Sequence, residues 1–121
     1  MPVRKILVVD DSPTELEVLR DLLAKNGYLV ITAASGEQAI NLAWSEHPDL
    51  ILMDVVMPGI NGYQATRTLT RDEKTRDIPV IMCTSRDQPT DRIWGMRQGA
   101  IDYLTKPIDH RALLEKIGAL G

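Results

Sequence analysis

The chain contains 121 residues and carries a formal net charge of −3 at pH 7. This length is enough for one ordinary domain around a single core, so we expect no second catalytic or DNA-binding unit. The lack of a basic excess disfavours binding to a phosphate backbone and predicts no direct nucleic-acid partner. The first apolar segment, 6–9, is too short for a signal-peptide core or a membrane span, which predicts a cytoplasmic protein without membrane insertion.

Five short apolar runs along the chain predict β-strands. They are segments 6–9, 29–33, 50–53 and 80–83, and a weaker run around Tyr103 and Leu104. The first four lack clean polar alternation, a pattern typical of strands that are buried on both faces of a parallel sheet. The only cysteine, Cys83, lies inside the fourth run and is predicted to be a buried core residue, because free cysteine packs as a small hydrophobe.

The segments between these runs carry helix signals. The first helix is predicted to have Ser12 as its N-cap, Pro13 at its first position and Glu15 completing a Ser-x-x-Glu capping box, and Asn26-Gly27 ends it. The other predicted helices open at Ser35 and close at Pro48, span 62–69, run from Pro89 or Thr90 to before Gly99, and start after Asp109. We expect the charged connection 71–77 to be a solvated loop. The alternation of five strands and five helices predicts right-handed crossovers and a doubly wound α/β sandwich.

Polar residues with distinctive chemistry follow the predicted strands. Asp10 and Asp11 come after the first strand, Asp54 after the third, Thr84 and Ser85 after the fourth, and Lys106 after the fifth. In an open parallel sheet the ligand crevice lies beyond the carboxyl ends of the strands. The sequence therefore predicts that these side chains share one crevice.

A cluster of three carboxylates needs a cation or shared protons, since the negative charges repel one another. Mg²⁺ fits best, because it prefers oxygen ligands and is commonly held by carboxylates together with phosphate oxygens. The oxygen-only set argues against zinc or copper, and we expect His47 and His110, which lie at helix boundaries, to be surface residues. Lys106 and Thr84 could bind the oxygens of a phosphoryl group on Asp54, since a carboxylate can act as a nucleophile toward phosphorus.

These residues resemble the receiver domain of two-component response regulators, the CheY-like family. The resemblance spans the whole chain, and it is carried by VVDDS at 8–12, LMDVVMPGING at 52–62, the pair Thr84-Ser85 and GAIDYLTKP at 99–107. It implies one receiver domain over 1–121, with a five-stranded parallel sheet in the order 2-1-3-4-5 and five helices on its two faces, as in flavodoxin. Several stretches, including DDSPTE and NGYQATR, are similar to stand-alone receivers of twitching-motility (type IV pilus) chemosensory systems.

The resemblance also implies a role for each site residue. Asp10, Asp11 and Asp54 would bind Mg²⁺ together with the backbone carbonyl of Val56, and Asp54 would be the phosphoacceptor. Lys106 would contact the phosphoryl group, Thr84 and Tyr103 would be the switch residues, and the Lys106-Pro107 bond would be cis. Tyr103 on its own is also typical of simple packing on a last strand.

The function expected from this reading is phosphoryl transfer onto Asp54 from a histidine kinase, a phosphotransfer domain or a small acyl-type phosphodonor. Phosphorylation would change how the face formed by helix 4, strand 5 and helix 5 binds a downstream protein, and we expect a monomer or weak dimer. Such a protein is not an enzyme in the usual sense. Two alternatives stay open: a Mg²⁺-dependent phosphohydrolase with an aspartyl-phosphate intermediate, and a docking module that works without phosphorylation. Phosphohydrolases of this kind usually carry a second acid two residues after the nucleophile, where this chain has Val56.

Overall fold

The computed structural model describes residues 2–121, in which strands and helices alternate along the chain. The elements are β1 (Lys5–Val9), α1 (Pro13–Lys25), β2 (Leu29–Ala33), α2 (Gly36–Glu46), β3 (Leu50–Met53), α3 (Gly62–Arg71), β4 (Val80–Thr84), α4 (Pro89–Arg97), β5 (Asp102–Thr105) and α5 (His110–Ala119). Each predicted element is present, and the ends differ from the predicted ones by at most two residues. Within this part of the chain, no helix has both the length and the apolar character needed to cross a bilayer.

The five strands form one sheet in the order β2-β1-β3-β4-β5, and every neighbouring pair is parallel. This confirms the predicted α/β class and the predicted strand order. The register pairs Val9 with Met53 and Thr84 with Thr105, so the carboxyl ends of the strands lie along one edge of the sheet. Residues that directly follow different strands are therefore brought close together.

The core has two layers because successive side chains of a strand point to opposite faces of the sheet. One layer contains Leu7, Ile51 and Met82 with residues of α2 and α3, such as Ala39 and Leu69. The other layer is built from the alternate strand positions and from α1 and α5; its members include Ile6, Leu52, Ile81, Leu23, Leu113 and the predicted core residue Cys83. Removal of this apolar surface from water is the main stabilising contribution to the fold.

Strand β2 is less buried than the sequence pattern predicted. Leu29 is 66% exposed and the middle of the strand is half-buried, whereas every residue of β3 and β4 is buried. The reason is the position of β2 at the edge of the sheet, where it has a neighbouring strand on one side only. An apolar run indicates a strand, but it does not distinguish an edge strand from a central one.

The N-terminus of α1 differs in one detail from the predicted capping box. The hydroxyl of Ser12 accepts a hydrogen bond from the backbone N–H of Glu15 at 3.3 Å, as predicted. The backbone N–H of Ser12, however, donates to Oδ1 of Asp10 at 2.9 Å rather than to the Glu15 side chain. A complete capping box is formed instead at α3, between Asn61 and Gln64. The start of α1 is thus tied to the acidic residue that follows β1.

The charged connection after α3 is mostly exposed, as predicted for a solvated loop, but specific contacts also hold it against the neighbouring helices. The indole N–H of Trp44 donates to Asp72 at 2.9 Å, and the ammonium of Lys74 lies 4.2 Å from the centre of the Trp44 ring. Thr75 is fully buried, and its hydroxyl donates to the Leu69 carbonyl at 2.6 Å. These contacts fix the connection against α2 and α3.

Candidate functional site

The backbone places the predicted site residues at the carboxyl edge of the sheet. The N–H of Asp54 donates to the carbonyl of Val9 at 3.0 Å, and the N–H of Lys106 donates to the carbonyl of Thr84 at 2.8 Å. Both bonds extend the ladders of the parallel strands by one step. Asp54 and Lys106 are therefore positioned by backbone hydrogen bonds of the sheet. Asp10 directly follows β1 and lies beside them.

Three carboxylates and one ammonium group meet in this crevice. Asp10, Asp11 and Asp54 each offer an oxygen within 4.8 Å of the oxygens of the other two. The Nζ of Lys106 lies 2.6 Å from Oδ2 of Asp10 and 3.4 Å from Oδ2 of Asp54. The predicted convergence of these four side chains is thus present, and the shorter ammonium contact goes to Asp10 rather than to Asp54.

The charges in the crevice are strongly coupled. Burial, followed by the charge of Asp10, raises the pKa of Asp54, although Lys106 and the N–H of Val55 act in the opposite direction. Burial alone would lower the pKa of Lys106, but its hydrogen bond to Asp10 and the charge of Asp54 outweigh this effect, and the net shift is upward. Lys106 therefore remains protonated, and a single ammonium group faces three acidic side chains.

The donor set fits a hard divalent cation. All the converging ligand atoms are carboxylate oxygens, and within the described chain no histidine or cysteine joins this cluster. Mg²⁺ prefers such ligands, whereas zinc and copper favour nitrogen and sulfur. Val56 follows two residues after Asp54, and its apolar side chain is about half exposed. His47 and His110 are exposed at the end of α2 and the start of α5, as predicted.

The side chains of Thr84 and Tyr103 both form hydrogen bonds with the backbone of Arg86. Thr84 is fully buried, and its Oγ1 accepts from the N–H of Arg86 at 3.3 Å. The ring of Tyr103 is also buried, and its hydroxyl donates to the carbonyl of Arg86 at 2.8 Å. One predicted switch residue therefore binds the N–H of Arg86, and the other binds its carbonyl.

Tyr63 is a further part of this region that the sequence reading did not single out. Its hydroxyl lies 3.2 Å from the Tyr103 hydroxyl and 3.1 Å from the carbonyl oxygen of Asp91. Burial is the main cause of the raised pKa of both tyrosines. An aromatic residue at the start of α3 gives no sequence signal for this contact, because the contact depends on how α3, α4 and β5 pack together.

The loop between Asp54 and α3 is held by contacts to which the sequence analysis assigned no role. The carboxylate of Glu37 accepts from the N–H of Ile60 at 3.2 Å, and backbone hydrogen bonds of this kind lower the pKa of Glu37. A Cβ atom at Gly62 would collide with the carbonyl oxygen of Asp54. Glycine is therefore required at this position, and the Gly59 to Gly62 pattern was the available sequence signal.

The Lys106-Pro107 bond at the other side of the crevice is cis.

The chain thus combines a doubly wound α/β fold with an acidic crevice at the carboxyl edge of its sheet. Residues 6–118 match the model of the response regulator receiver domain. The chain therefore belongs to the receiver domain family of response regulators. Receiver domains accept phosphoryl groups rather than act as conventional enzymes, typically bind Mg²⁺ at their acidic pocket, and interact with histidine kinases and downstream targets.

Among similar proteins, PilH of Pseudomonas aeruginosa is 55% identical over 116 residues, which cover 96% of each chain. The response regulator PleD of Caulobacter vibrioides is 43% identical over 116 residues, which cover 96% of this chain but only 26% of PleD. The structure of the chemotaxis protein CheY4 of Vibrio cholerae superimposes with a TM-score of 0.91 at 29% identity and covers 98% of this chain and 99% of CheY4. The chain is thus PilH-like in sequence and CheY-like in fold.

Proposed function

We propose that this chain is a stand-alone receiver, a single domain over 1–121, that takes a phosphoryl group onto Asp54 from a histidine kinase or a phosphotransfer domain in a Mg²⁺-dependent reaction. The observation that carries the proposal is the convergence of Asp10, Asp11, Asp54 and Lys106 at the carboxyl edge of the sheet. Asp54 is buried, so the accepting carboxylate is shielded from bulk water. A low local dielectric strengthens its interactions with nearby charges.

Each side chain has a distinct task in this reaction. Asp54 attacks the phosphorus atom of the donor, and the bond from phosphorus to the donor breaks. Mg²⁺ would be held by Asp10, Asp11, Asp54 and the carbonyl of Val56, and it would supply positive charge to the phosphoryl oxygens. Lys106 is already protonated and within reach of Asp54, so its ammonium group can bind a phosphoryl oxygen after the transfer.

Thr84 is placed to sense the new group. Because its hydroxyl oxygen accepts from the N–H of Arg86, its own hydrogen is available to donate to a phosphoryl oxygen on Asp54. Phosphorylation adds roughly 1.5–2 negative charges. Charged hydrogen bonds from Thr84 and Lys106 are worth about 1.5–3 kcal/mol each. A shift of a two-state conformational equilibrium from 1:99 to 99:1 needs about 5.5 kcal/mol. These two bonds can therefore convert most of the molecules to the switched conformation.

The output surface is the face formed by α4, β5 and α5, which includes Tyr103. Modification of Asp54 changes the affinity of this face for a downstream protein through the Thr84, Arg86 and Tyr103 contacts. The similarity to PilH supports a role in twitching motility. We further propose a cytoplasmic location and a monomeric or weakly dimeric state. The net charge of −3 supports a protein partner rather than nucleic acid.

The direct test is intact mass after incubation with acetyl phosphate and Mg²⁺. Wild type and Asp77→Asn should gain one phosphoryl group, whereas Asp54→Asn should gain none, and EDTA should prevent the gain. Asp77 is a matched control because it is an exposed aspartate that precedes β4, at the opposite end of the strand from the crevice. Labelling of Asp54→Asn would refute Asp54 as the acceptor. Steady hydrolysis of a generic phosphate ester would instead indicate a phosphohydrolase, and partner binding with no Mg²⁺ affinity would indicate a phosphorylation-independent docking module.

A further inference from the structure

Helix α4 has a glycine at the position where it is buried against the rest of the molecule. All of its residues lie in the described part of the chain, and Gly95 is its one buried residue. The larger apolar side chains of this helix, Ile93, Trp94 and Met96, are all exposed. The helix therefore approaches the core at a position that has no side chain.

The space beside Gly95 is occupied by the ring of Tyr103. A Cβ atom built at Gly95 would lie 3.0 Å from Cδ2 and 3.1 Å from Cε2 of Tyr103, and 3.4 Å from Cε1 of Tyr63. The first two distances are tighter than ordinary carbon contacts, so the Tyr103 ring or α4 would have to move.

The backbone of α4 gives no reason for this glycine. Its conformation is helical, a conformation that every L-residue adopts, and glycine lowers helix stability relative to alanine. A glycine that the backbone does not require, and that makes the helix less stable, is explained by packing or by function. Here the missing side chain of Gly95 leaves room for the buried ring of Tyr103.

The buried ring is in turn connected to the phosphoryl site. Its hydroxyl donates to the carbonyl of Arg86, and the N–H of Arg86 donates to Thr84. This arrangement leaves the hydroxyl hydrogen of Thr84 free to point toward Asp54. The structure therefore combines the buried position of Tyr103 with a Thr84 hydroxyl that can donate to a phosphoryl group on Asp54.

We propose that Gly95 is a positioning residue of the switch: its missing side chain makes room for Tyr103 in the buried position and thereby favours retention of the phosphoryl group on Asp54. The effect on phosphorylation rests on the function proposed above. Coupling between two sites is reciprocal, so a residue that shifts Tyr103 also shifts the equilibrium at Asp54.

The test compares Gly95→Ala with Gly118→Ala. Gly118 lies in α5, and a Cβ atom there would meet nothing within 4 Å, so the control reproduces the change from glycine to alanine in a helix without the steric contact. The first readout is NMR of tyrosine labelled with ¹³C in the ring, recorded without a phosphodonor and assigned with Tyr103→Phe. In Gly95→Ala the Tyr103 signals should move toward the shifts of an exposed tyrosine, and in Gly118→Ala they should stay as in wild type.

The expected size of the shift follows from the cost of overpacking. Such a contact lowers the ratio of buried to displaced Tyr103 by roughly 5- to 150-fold. The second readout is the fraction of Asp54 that carries a phosphoryl group at steady state with acetyl phosphate and Mg²⁺, measured by intact mass. This fraction should fall in Gly95→Ala and remain unchanged in Gly118→Ala.

A double variant separates the steric effect from a general loss of stability. In a Tyr103→Ala background the ring is gone, so Gly95→Ala should no longer lower phosphorylation, and it should stabilise α4 against urea. If Gly95→Ala alone does not fold, recovery of a folded protein in the double variant supports the proposal, and failure of both overturns it. Unchanged Tyr103 signals in a folded Gly95→Ala also overturn it. If wild type takes up no phosphoryl group, the proposed function fails, while the NMR comparison still tests the position of Tyr103.

Discussion

Replacement of Lys106 by methionine removes the one ammonium group in the acidic crevice. Its Nζ lies 2.6 Å from Asp10 and 3.4 Å from Asp54, and the side chains of these aspartates are only 3% and 8% exposed. Methionine keeps an unbranched, flexible chain of similar length, so the substitution removes mainly the charge and its hydrogen bonds. The buried carboxylates of Asp10 and Asp54 then lose their ammonium partner.

The size of the loss can be estimated from the burial of the pair. Removal of one partner of a buried ion pair costs about 3–5 kcal/mol. The Lys106 side chain is 18% exposed, and the carboxylates can take up protons, so we expect about 2–4 kcal/mol here. For a domain of this size, each kcal/mol changes Tm by roughly 3–5 °C, which gives a decrease of about 6–20 °C.

The assay is urea unfolding followed by circular dichroism, in EDTA and in excess Mg²⁺. A cation that binds only the folded state stabilises it, and it binds more tightly where Lys106 no longer competes for the carboxylates. Mg²⁺ should therefore raise the free energy of unfolding of Lys106→Met more than that of wild type.

Lys116→Met is the matched control for this experiment. Lys116 also contacts a carboxylate at 2.6 Å, but its side chain is 39% exposed, and its partner Asp102 keeps Arg92 at 3.6 Å. We expect a loss of no more than about 1 kcal/mol, without any response to Mg²⁺. Equal losses in the two variants, or an equal response to Mg²⁺, would refute the assignment of Lys106 as the charge that balances the cluster.

Three further outcomes follow from other contacts. Burial raises the pKa of Cys83 to about 12, so a thiol reagent at pH 8 should react with it only at the rate at which the protein unfolds; fast reaction of the native protein would contradict its burial. Burial alone would raise the pKa of Asp102, but the hydrogen bond from Lys116 and nearby cations hold this pKa below its usual range. This contribution to stability is present above about pH 4 and is lost as the pH falls through the lowered folded-state pKa, so urea titrations of Asp102→Asn should show a smaller decrease below pH 4 than wild type. Thr75→Val removes the buried hydroxyl that donates to Leu69 and should lower the free energy of unfolding by about 1–3 kcal/mol, whereas an unchanged midpoint would show that water replaces this bond.

The local elements of the fold were predictable because their signals are short-range. Caps such as Ser12 and Asn26 and the apolar runs depend on neighbours within a few residues, and the observed elements agree with them. The exposure of β2 was not predictable in this way, since it depends on which strands lie beside it. The contacts that fix the connection after α3, such as that of Trp44 with Asp72, join residues 28 positions apart and give no local pattern.

The candidate site shows the same division. The sequence by itself determined which residues follow the strand ends, and parallel geometry then requires Asp10, Asp54 and Lys106 to share one edge. Only the tertiary structure decided that Lys106 lies closer to Asp10 than to Asp54, and that Tyr103 lies against Gly95. Side-chain partners of this kind depend on distances of a few tenths of an ångström between elements remote in the chain, and such distances are set by the packing of the whole domain.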